Sequence, residues 1–310
     1  MRGTPPSDSD FRAAPNEAIR RLSRRLGARA IDRLIGLIGS SPRLSGLALR
    51  ALLDRQLAPD VLCRVPFDDH VLYVDPRDDK IALKLLAGRA WQRRQLETAI
   101  ATLRAAGRLP AGGLFLDVGA NIGCQTVYAM RSGAFASAIA IEPDPHNFDI
   151  LKRNLAANGL EGRVEAVAAA ASARCGRVQL RRHARNHGAH SVEESFATRP
   201  AGTADVDATS LDELLRHREI APDKVGLVKI DVEGHELAVL QGMAGLCAAG
   251  APLLVELTAD RAGEHVAAFK ALLAPYYSQA SDLGSANGKP AEGSPLEALA
   301  CWGQSDFLIF

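Results

Sequence analysis

The stretch Leu114-Phe-Leu-Asp-Val-Gly-Ala-Asn-Ile-Gly123 constrains this chain more than any other. An apolar run ends in an acid and then breaks into two glycines four residues apart. Leu114–Leu116 reads as a buried parallel strand and Gln125–Arg131 as the helix that follows. Gly119 and Gly123 permit a tight turn and close backbone approach. Such a turn aims free backbone N–H groups and a positive helix end at an anion. About twenty residues on, Ala138–Ile141 makes a second strand capped by Glu142, whose carboxylate can accept two hydrogen bonds from ribose hydroxyls. The pair implies a nucleoside-containing cofactor; a ligand-free turn is the plainer alternative.

The loop is not the dinucleotide pattern G-x-G-x-x-G. Asn121 stands where a second glycine would let backbone touch a pyrophosphate, and Asp117 at the loop mouth would repel one. S-adenosyl-L-methionine has no phosphate. Its ammonium suits a carboxylate such as Asp117, and its carboxylate suits the N–H groups of the turn. The charges therefore favour S-adenosyl-L-methionine over NAD.

The 310 residues leave room for one large α/β domain plus an extension. A net charge of +1 gives no global pull toward nucleic acid. The scattered Cys63, Cys124, Cys175, Cys247 and Cys301 argue against a disulfide framework or zinc site and for a reducing, cytoplasmic setting. No apolar run approaches the roughly 20 residues that span a bilayer, and the acidic, proline-rich start is unlike a signal peptide.

Four regions are expected. Residues 1–14 read as disordered. Residues 15–60 read as a helical extension, two helices broken at Ser40-Ser-Pro42. The first carries an Ile19/Leu22/Leu26/Leu34 stripe beside an arginine face. That helix packs on the domain or on a second subunit, a homo-oligomer; docking on an anionic membrane is the less favoured alternative. Residues 61–110 read as a hairpin within Leu62–Val74 and a helical lead-in. In residues 111–310 strands alternate with helices, which predicts a mostly parallel sheet. Strands are expected at 114–118, 138–142, 164–169, 225–231 and 252–257, with weaker ones at Tyr276–Ala280 and Phe307–Phe310. Helices are expected near 123–132, 145–157, 209–217, 234–242 and 262–273. Asp144-Pro145 is a strong helix start.

From about residue 62 onward the chain resembles the FkbM-type S-adenosylmethionine-dependent methyltransferases. The likeness is carried by Asp117–Gly123, Glu142-Pro-Asp-Pro-His-Asn147, Leu155-Ala-Ala-Asn158, Ala171-Ser172, Ser191, Thr209-Ser-Leu-Asp212, Lys229-Ile-Asp-Val-Glu-Gly-His-Glu236 and Glu256. The resemblance implies a class I, Rossmann-like α/β fold with a seven-stranded sheet covered by helices on both faces. It also implies methylation of a hydroxyl on a sugar, polyketide or other small natural product, with no nucleic-acid partner. Asp117, Gly119, Asn121, Gly123, Glu142, Asn147 and Ser172 are the cofactor candidates; Ser191, Glu233 and Glu256 are the acceptor candidates. A non-catalytic subunit that keeps the fold is the alternative. One departure stands out: members often have an aromatic–Glu pair before the helix leading into the loop, and here it is Trp91-Gln92.

Lys229–Glu236 carries the chemistry. Its strand ends at the carboxyl edge of the sheet, where open α/β folds keep their sites, and Lys229 and Asp231 share one strand face. Methyl transfer from a sulfonium needs in-line alignment, and a hydroxyl acceptor needs a base. Asp231 or His235 can serve, with Lys229 beside them. A carboxylate cluster could instead hold Mg²⁺, although no metal ligand is assigned. The plainest reading is a structural Lys229–Asp231 ion pair. Residues 181–191, with three arginines and three histidines, read as a loop. It is either solvated or a cover over the acceptor, with its arginines suited to phosphate or acidic sugars.

Overall fold

The computed structural model describes residues 61–194, 200–258, 264–283, 294–296 and 304–310. The expected disordered start and helical extension lie outside the described residues. Cys63–Val74 and Asp78–Phe310 form one compact unit. Leu62 and Asp75–Arg77 group with the N-terminal residues in another, where Arg77 pairs with Asp75.

The larger unit begins with an antiparallel hairpin, β1 (Cys63–Pro66) and β2 (Val71–Val74). Helices α1 (Ile81–Leu86) and α2 (Arg93–Ala105) follow. The alternating part then runs β3 (Leu114–Val118), α3 (Cys124–Arg131), β4 (Ser137–Ile141), α4 (Pro145–Ala157) and β5 (Val164–Val167). Next come β6 (Ala170–Ala171), β7 (Gly176–His183), β8 (Pro200–Thr209), α5 (Leu211–His217), β9 (Val225–Ile230), α6 (Glu236–Gln241) and α7 (Ala244–Ala248). The unit ends with β10 (Leu253–Thr258), α8 (Glu264–Leu273), β11 (Gln279–Asp282), β12 (Ser294–Pro295) and β13 (Gln304–Ile309).

The main sheet has the order β12-β11-β13-β10-β9-β3-β4-β5. Strands β5, β4, β3, β9 and β10 are parallel; β13 inserts antiparallel between β10 and β11. The seven expected strands are all present, and the two-residue β12 adds an edge. Every residue of β3 and β9 is buried, as parallel strands covered on both faces require. Leu114, Leu116 and Val118 join a core with Leu211 and Leu214 of α5, Leu240 of α6 and Phe269 of α8. Phe115 points the opposite way and meets Phe135 at a 5.2 Å centroid distance. The chain leaves β3 toward β4 and β5, then returns to β9 on its other side. That reversal opens a crevice at the carboxyl ends of β3 and β9.

Two expectations need correction. Arg181–His183 belong to β7, not to a loop, and β6, β8 and β7 make a second, three-stranded sheet. The strand expected at Tyr276–Ala280 begins three residues later, because Tyr276 and Tyr277 close the turn after α8 by donating backbone N–H to Leu273.

Asparagines hold the hairpin to the sheet. Asn154 and Asn158 lie one helical turn apart on α4. Asn154 accepts from the Tyr73 N–H (2.6 Å) and donates to the Tyr73 carbonyl (3.1 Å). Asn158 does the same with Val71 (3.1 and 2.7 Å). Four helical residues rise about 6 Å and two strand residues about 6.6 Å. The two amides therefore replace a neighbouring strand for β2, which a lone hairpin needs. Asn154 also donates to the Ile122 carbonyl at 2.7 Å and so ties the hairpin to the loop after β3. Asn154→Ala should destabilise the protein by about 2–4 kcal/mol, since it strands buried backbone groups. Asn154→Asp should cost more, because a carboxylate cannot donate to either carbonyl. Urea unfolding of the two variants checks the order.

Candidate active site

A cavity of about 220 Å³ opens at the crevice. The loop after β3 forms its floor. Gly119 has φ +80°, and a Cβ there would stand 1.8 Å from the Asp231 carbonyl oxygen. Gly123 has φ +85°, and a Cβ there would meet Leu151 Cδ1 at 2.6 Å. The loop N–H groups are not free, against expectation. Those of Gly119 and Ala120 donate to the Ile141 carbonyl (3.0 and 2.9 Å) and that of Gly123 to Ala120 (2.8 Å). The Ile122 N–H donates to Asn121 Oδ1 at 2.7 Å. The Asn121 N–H donates to Glu142 Oε2 at 2.8 Å.

Glu142 follows β4 and lines the cavity. Its second oxygen accepts from the Asp144 N–H at 2.8 Å. Burial pushes its carboxyl up to about 8, against those two backbone donors. Asp144 caps α4 by accepting from the His146 and Asn147 N–H groups (2.9 and 3.1 Å), and Arg182 donates to its other oxygen at 2.6 Å. The side-chain amides of Asn121 and Asn147 both donate to the His187 carbonyl at 2.9 Å. The 186–190 segment thus covers the cofactor end of the cavity. His190 there stays neutral, pushed down to about 4 by burial, and its Nδ1 accepts from the His183 N–H at 3.0 Å.

Asp117 does not reach the cavity. It is 1 % exposed, accepts from Thr126 Oγ1, and is pushed up to about 6 by burial. Lys229 is equally enclosed, with Nζ 3.0 Å from Asp231 Oδ2. Burial alone would lower its ammonium, but Asp231, Glu256, Asp306 and Asp117 outweigh burial and hold it above the ordinary lysine value. Asp231 itself lines the cavity.

His235 also lines the cavity, with both ring nitrogens engaged. Nδ1 lies 2.6 Å from Glu193 Oε1 and Nε2 lies 3.0 Å from Ser172 Oγ. Ser172 therefore meets His235 and is not among the cavity-lining residues. Ser191 is likewise enclosed; its hydroxyl donates to the Glu233 carbonyl at 2.7 Å and accepts from the Glu193 N–H at 3.0 Å. Glu233 has φ +48° and lines the cavity, its carboxyl pushed up to about 8 by burial and by Asp231. Glu256 receives the side-chain amides of Gln92 and Gln304, one on each oxygen. Burial and Asp231 push it to about 8 as well. The oxygens of Asp231, Glu233 and Glu256 do not gather as one trio within 4.8 Å, the spacing a single dication would need.

The sequence reading had no handle on Glu193, Gln125 or Gln304. Their partners are distant in the chain, and only the tertiary path joins them.

The profile of the methyltransferase FkbM domain matches residues 117–276, just over half the chain. The chain belongs to this family. Methyltransferase sdnD of Sordaria araneosa is 31% identical over 164 residues, 44% of this chain and 62% of that protein. Hexuronic acid methyltransferase AglP of Haloferax volcanii is 34% identical over 128 residues, 41% of this chain and 48% of that protein. The chain thus spans between about half and three fifths of these relatives' lengths. Methyltransferase FkbM from Methylobacillus flagellatus, a solved structure, shares 18% identity at a TM-score of 0.43, over 76% of this chain and 62% of that one.

S-adenosyl-L-methionine is the cofactor of this FkbM domain, and the residues present fit it. Glu142 follows β4 and lines the cavity, and the Gly119 turn leaves a cradle that a Cβ would close. A buried amide oxygen of a lining residue, Asn147 Oδ1, has no protein partner. Gly119→Ala should remove the cradle and at least about 3 kcal/mol of stability, because φ and the Asp231 carbonyl both oppose the methyl. Thermal unfolding with and without S-adenosylhomocysteine reads both losses.

Proposed function

We propose that the protein transfers a methyl group from S-adenosyl-L-methionine to a hydroxyl of a sugar, polyketide or other small natural product. The observation that carries this reading is the common cavity shared by Glu142 after β4, the loop after β3 and Asp231 after β9. The name of AglP, a hexuronic acid methyltransferase, supports a sugar-type acceptor.

When bound, the cofactor supplies an electrophilic methyl on a sulfonium. Glu142 accepts the ribose hydroxyls, its position fixed by the Asn121 and Asp144 N–H groups. Cys124 and the first-turn backbone of α3, at the cavity wall, present the helix's positive end to the amino-acid carboxylate. This role passes to them because the loop N–H groups are already bonded. Asp231 takes the acceptor proton as the new O–C bond forms. Lys229 orients Asp231 from behind through one oxygen. His235, with both nitrogens committed, is the weaker candidate for the base and shapes the acceptor wall. The segment over His187 keeps water from the cofactor end. A subunit without turnover is the poorer reading, because Asp231, Glu233 and Glu256 all line the same cavity that Glu142 and the loop after β3 also line.

Glu142→Ala should weaken S-adenosylmethionine binding roughly tenfold to a hundredfold, the loss of a charge-assisted acceptor worth about 1.5–3 kcal/mol. Equal calorimetric affinities for variant and wild type would overturn the ribose assignment. Asp231→Asn should bind the cofactor as wild type does and lose about 10²–10⁴ in turnover. If melting temperature and activity fall in step instead, Asp231 is structural.

A further inference from the structure

We infer that the acceptor is a hydroxylated molecule that carries a protonated amine, and that the site discriminates against one carrying a carboxylate or phosphate. This rests on the methyl-transfer reading and narrows it. The cofactor end of the cavity lies over β4 and β3, marked by Glu142. The acceptor end lies over β9 and β10, toward β13. Its wall is made by Gln92, Gln125, Asp231, Glu233, Glu256 and Gln304.

The amide NH₂ groups of that wall are engaged, and what they leave unpartnered are oxygens. Gln92 and Gln304 turn their NH₂ groups to Glu256, so the amide orientation is set by the carboxylate. Gln92 Oε1 then has no protein partner. Gln125 is 7 % exposed; its NH₂ donates to the Trp91 carbonyl at 3.2 Å, which leaves its Oε1 without a partner too. The Trp91 carbonyl can only accept, so the Gln125 amide cannot flip, and the Gln92 amide is fixed in the same way once Glu256 is ionised. Among the described residues of this wall, the two buried amide atoms without a partner are both acceptors. An ammonium brings three N–H donors and a charge; a carboxylate or phosphate brings only acceptors.

Charge points the same way. Asp231, Glu233 and Glu256 line the cavity with Lys80 as the one lysine among the lining residues, since Lys229 sits behind and pairs with Asp231. Two of the three arginines in residues 181–191 are engaged elsewhere. Arg181 donates to the Val192 carbonyl and Glu194, and Arg182 to Asp144. Among the described residues, no arginine lines the cavity. An acceptor like the hexuronic acid in the name of AglP would meet three acids.

Titration adds a signature. Burial lifts Glu233 and Glu256 to about 8. The groups acting on Glu256 are Asp231, Lys229, Asp306 and the Gln92 amide; those acting on Glu233 are Asp231, Lys80, Glu236 and Lys229. Below that value these acids carry protons, and a cation must displace them to pair. Affinity for a cationic acceptor should rise with pH up to about 8, and affinity for a neutral one should not.

Three glycosides that differ only at C6 test the inference: methyl 6-amino-6-deoxyglucoside, methyl glucoside and methyl glucuronide. The full chain is first titrated with S-adenosylhomocysteine by calorimetry; failure to bind it overturns the methyltransferase reading itself. The loaded protein is then titrated with each glycoside at about pH 8.5, above the value at which Glu233 and Glu256 lose their protons. The amine is expected to bind at least about tenfold tighter than the neutral glycoside, with no binding of the glucuronide. Glu256→Gln should erase that preference and leave S-adenosylhomocysteine affinity unchanged; Glu233→Gln, outside the glutamine clamp, should lower it. Equal binding of all three, preference for the glucuronide, or no binding of any by loaded protein overturns the inference. So does a tenfold loss of S-adenosylhomocysteine affinity in Glu256→Gln, which would assign that acid to the cofactor's own ammonium.

Discussion

The site depends on one close backbone approach. The loop that leaves β3 passes so near the end of β9 that Gly119 has no room for a side chain beside the Asp231 carbonyl. That approach sets the distance between the loop after β3 and Asp231, the residue we propose takes the acceptor's proton. It follows from the parallel pairing of β3 with β9, which aligns Asp117 with Lys229 and Val118 with Ile230. One residue beyond, the Asp231 N–H donates to the Val118 carbonyl at 3.0 Å and closes the pair. A larger residue at 119 would have to break this last rung or the turn itself.

Strain gathers at the same place. Among the described residues, four non-glycines have positive φ, and three of them, Gln92, Asn121 and Glu233, line the cavity. Such a conformation costs on the order of 1–3 kcal/mol and persists only where neighbours enforce it. Each has its enforcers. Asn121 bonds its own turn and the His187 carbonyl. Glu233 is held at its carbonyl by Ser191, while the next residue, Gly234, donates its N–H to Glu236 at 2.9 Å. Gln92 is held by Glu256. The enforcers come from β7 and its following segment, from β10 and from α6. The second sheet is therefore part of the site's scaffold, not a decoration on its rim.

The sequence made the β3 turn, Glu142 and the order of strands legible because each is local: an apolar run, two glycines, an acid after a strand. The Asp144-Pro145 helix start was legible for the same reason, since a cap acts within four residues. The direction of side chains was not. Asp117 and Asp231 both end strands, yet register buries one behind Thr126 and opens the other to the cavity. Ser172 and Ser191 looked like ligand contacts because they lie in recognisable motifs. Both spend their hydroxyls on the protein, on His235 and on the Glu233 carbonyl. The pairing of Asn154 and Asn158 with β2 spans more than eighty residues of chain, and no local period announces such a contact.

Lys229 illustrates how a residue can be essential to a site without touching its ligands. A buried ammonium on its own would shed its proton, because burial disfavours the charged form. Here four carboxylates within its field reverse that tendency. The dependence runs both ways: Lys229 is the counter-charge that lets Asp231, Glu256 and Asp306 crowd one end of the sheet. Removing one member of a buried charge group typically costs about 3–5 kcal/mol, because the remaining charges lose their partner. Glu256 and Asp306 face each other across the β10–β13 pair, and like charges directly opposite are destabilising in a sheet. The lysine on the neighbouring strand answers that repulsion. The acidic acceptor wall and the buried lysine behind it are therefore one electrostatic unit, built into the strand register before any ligand arrives.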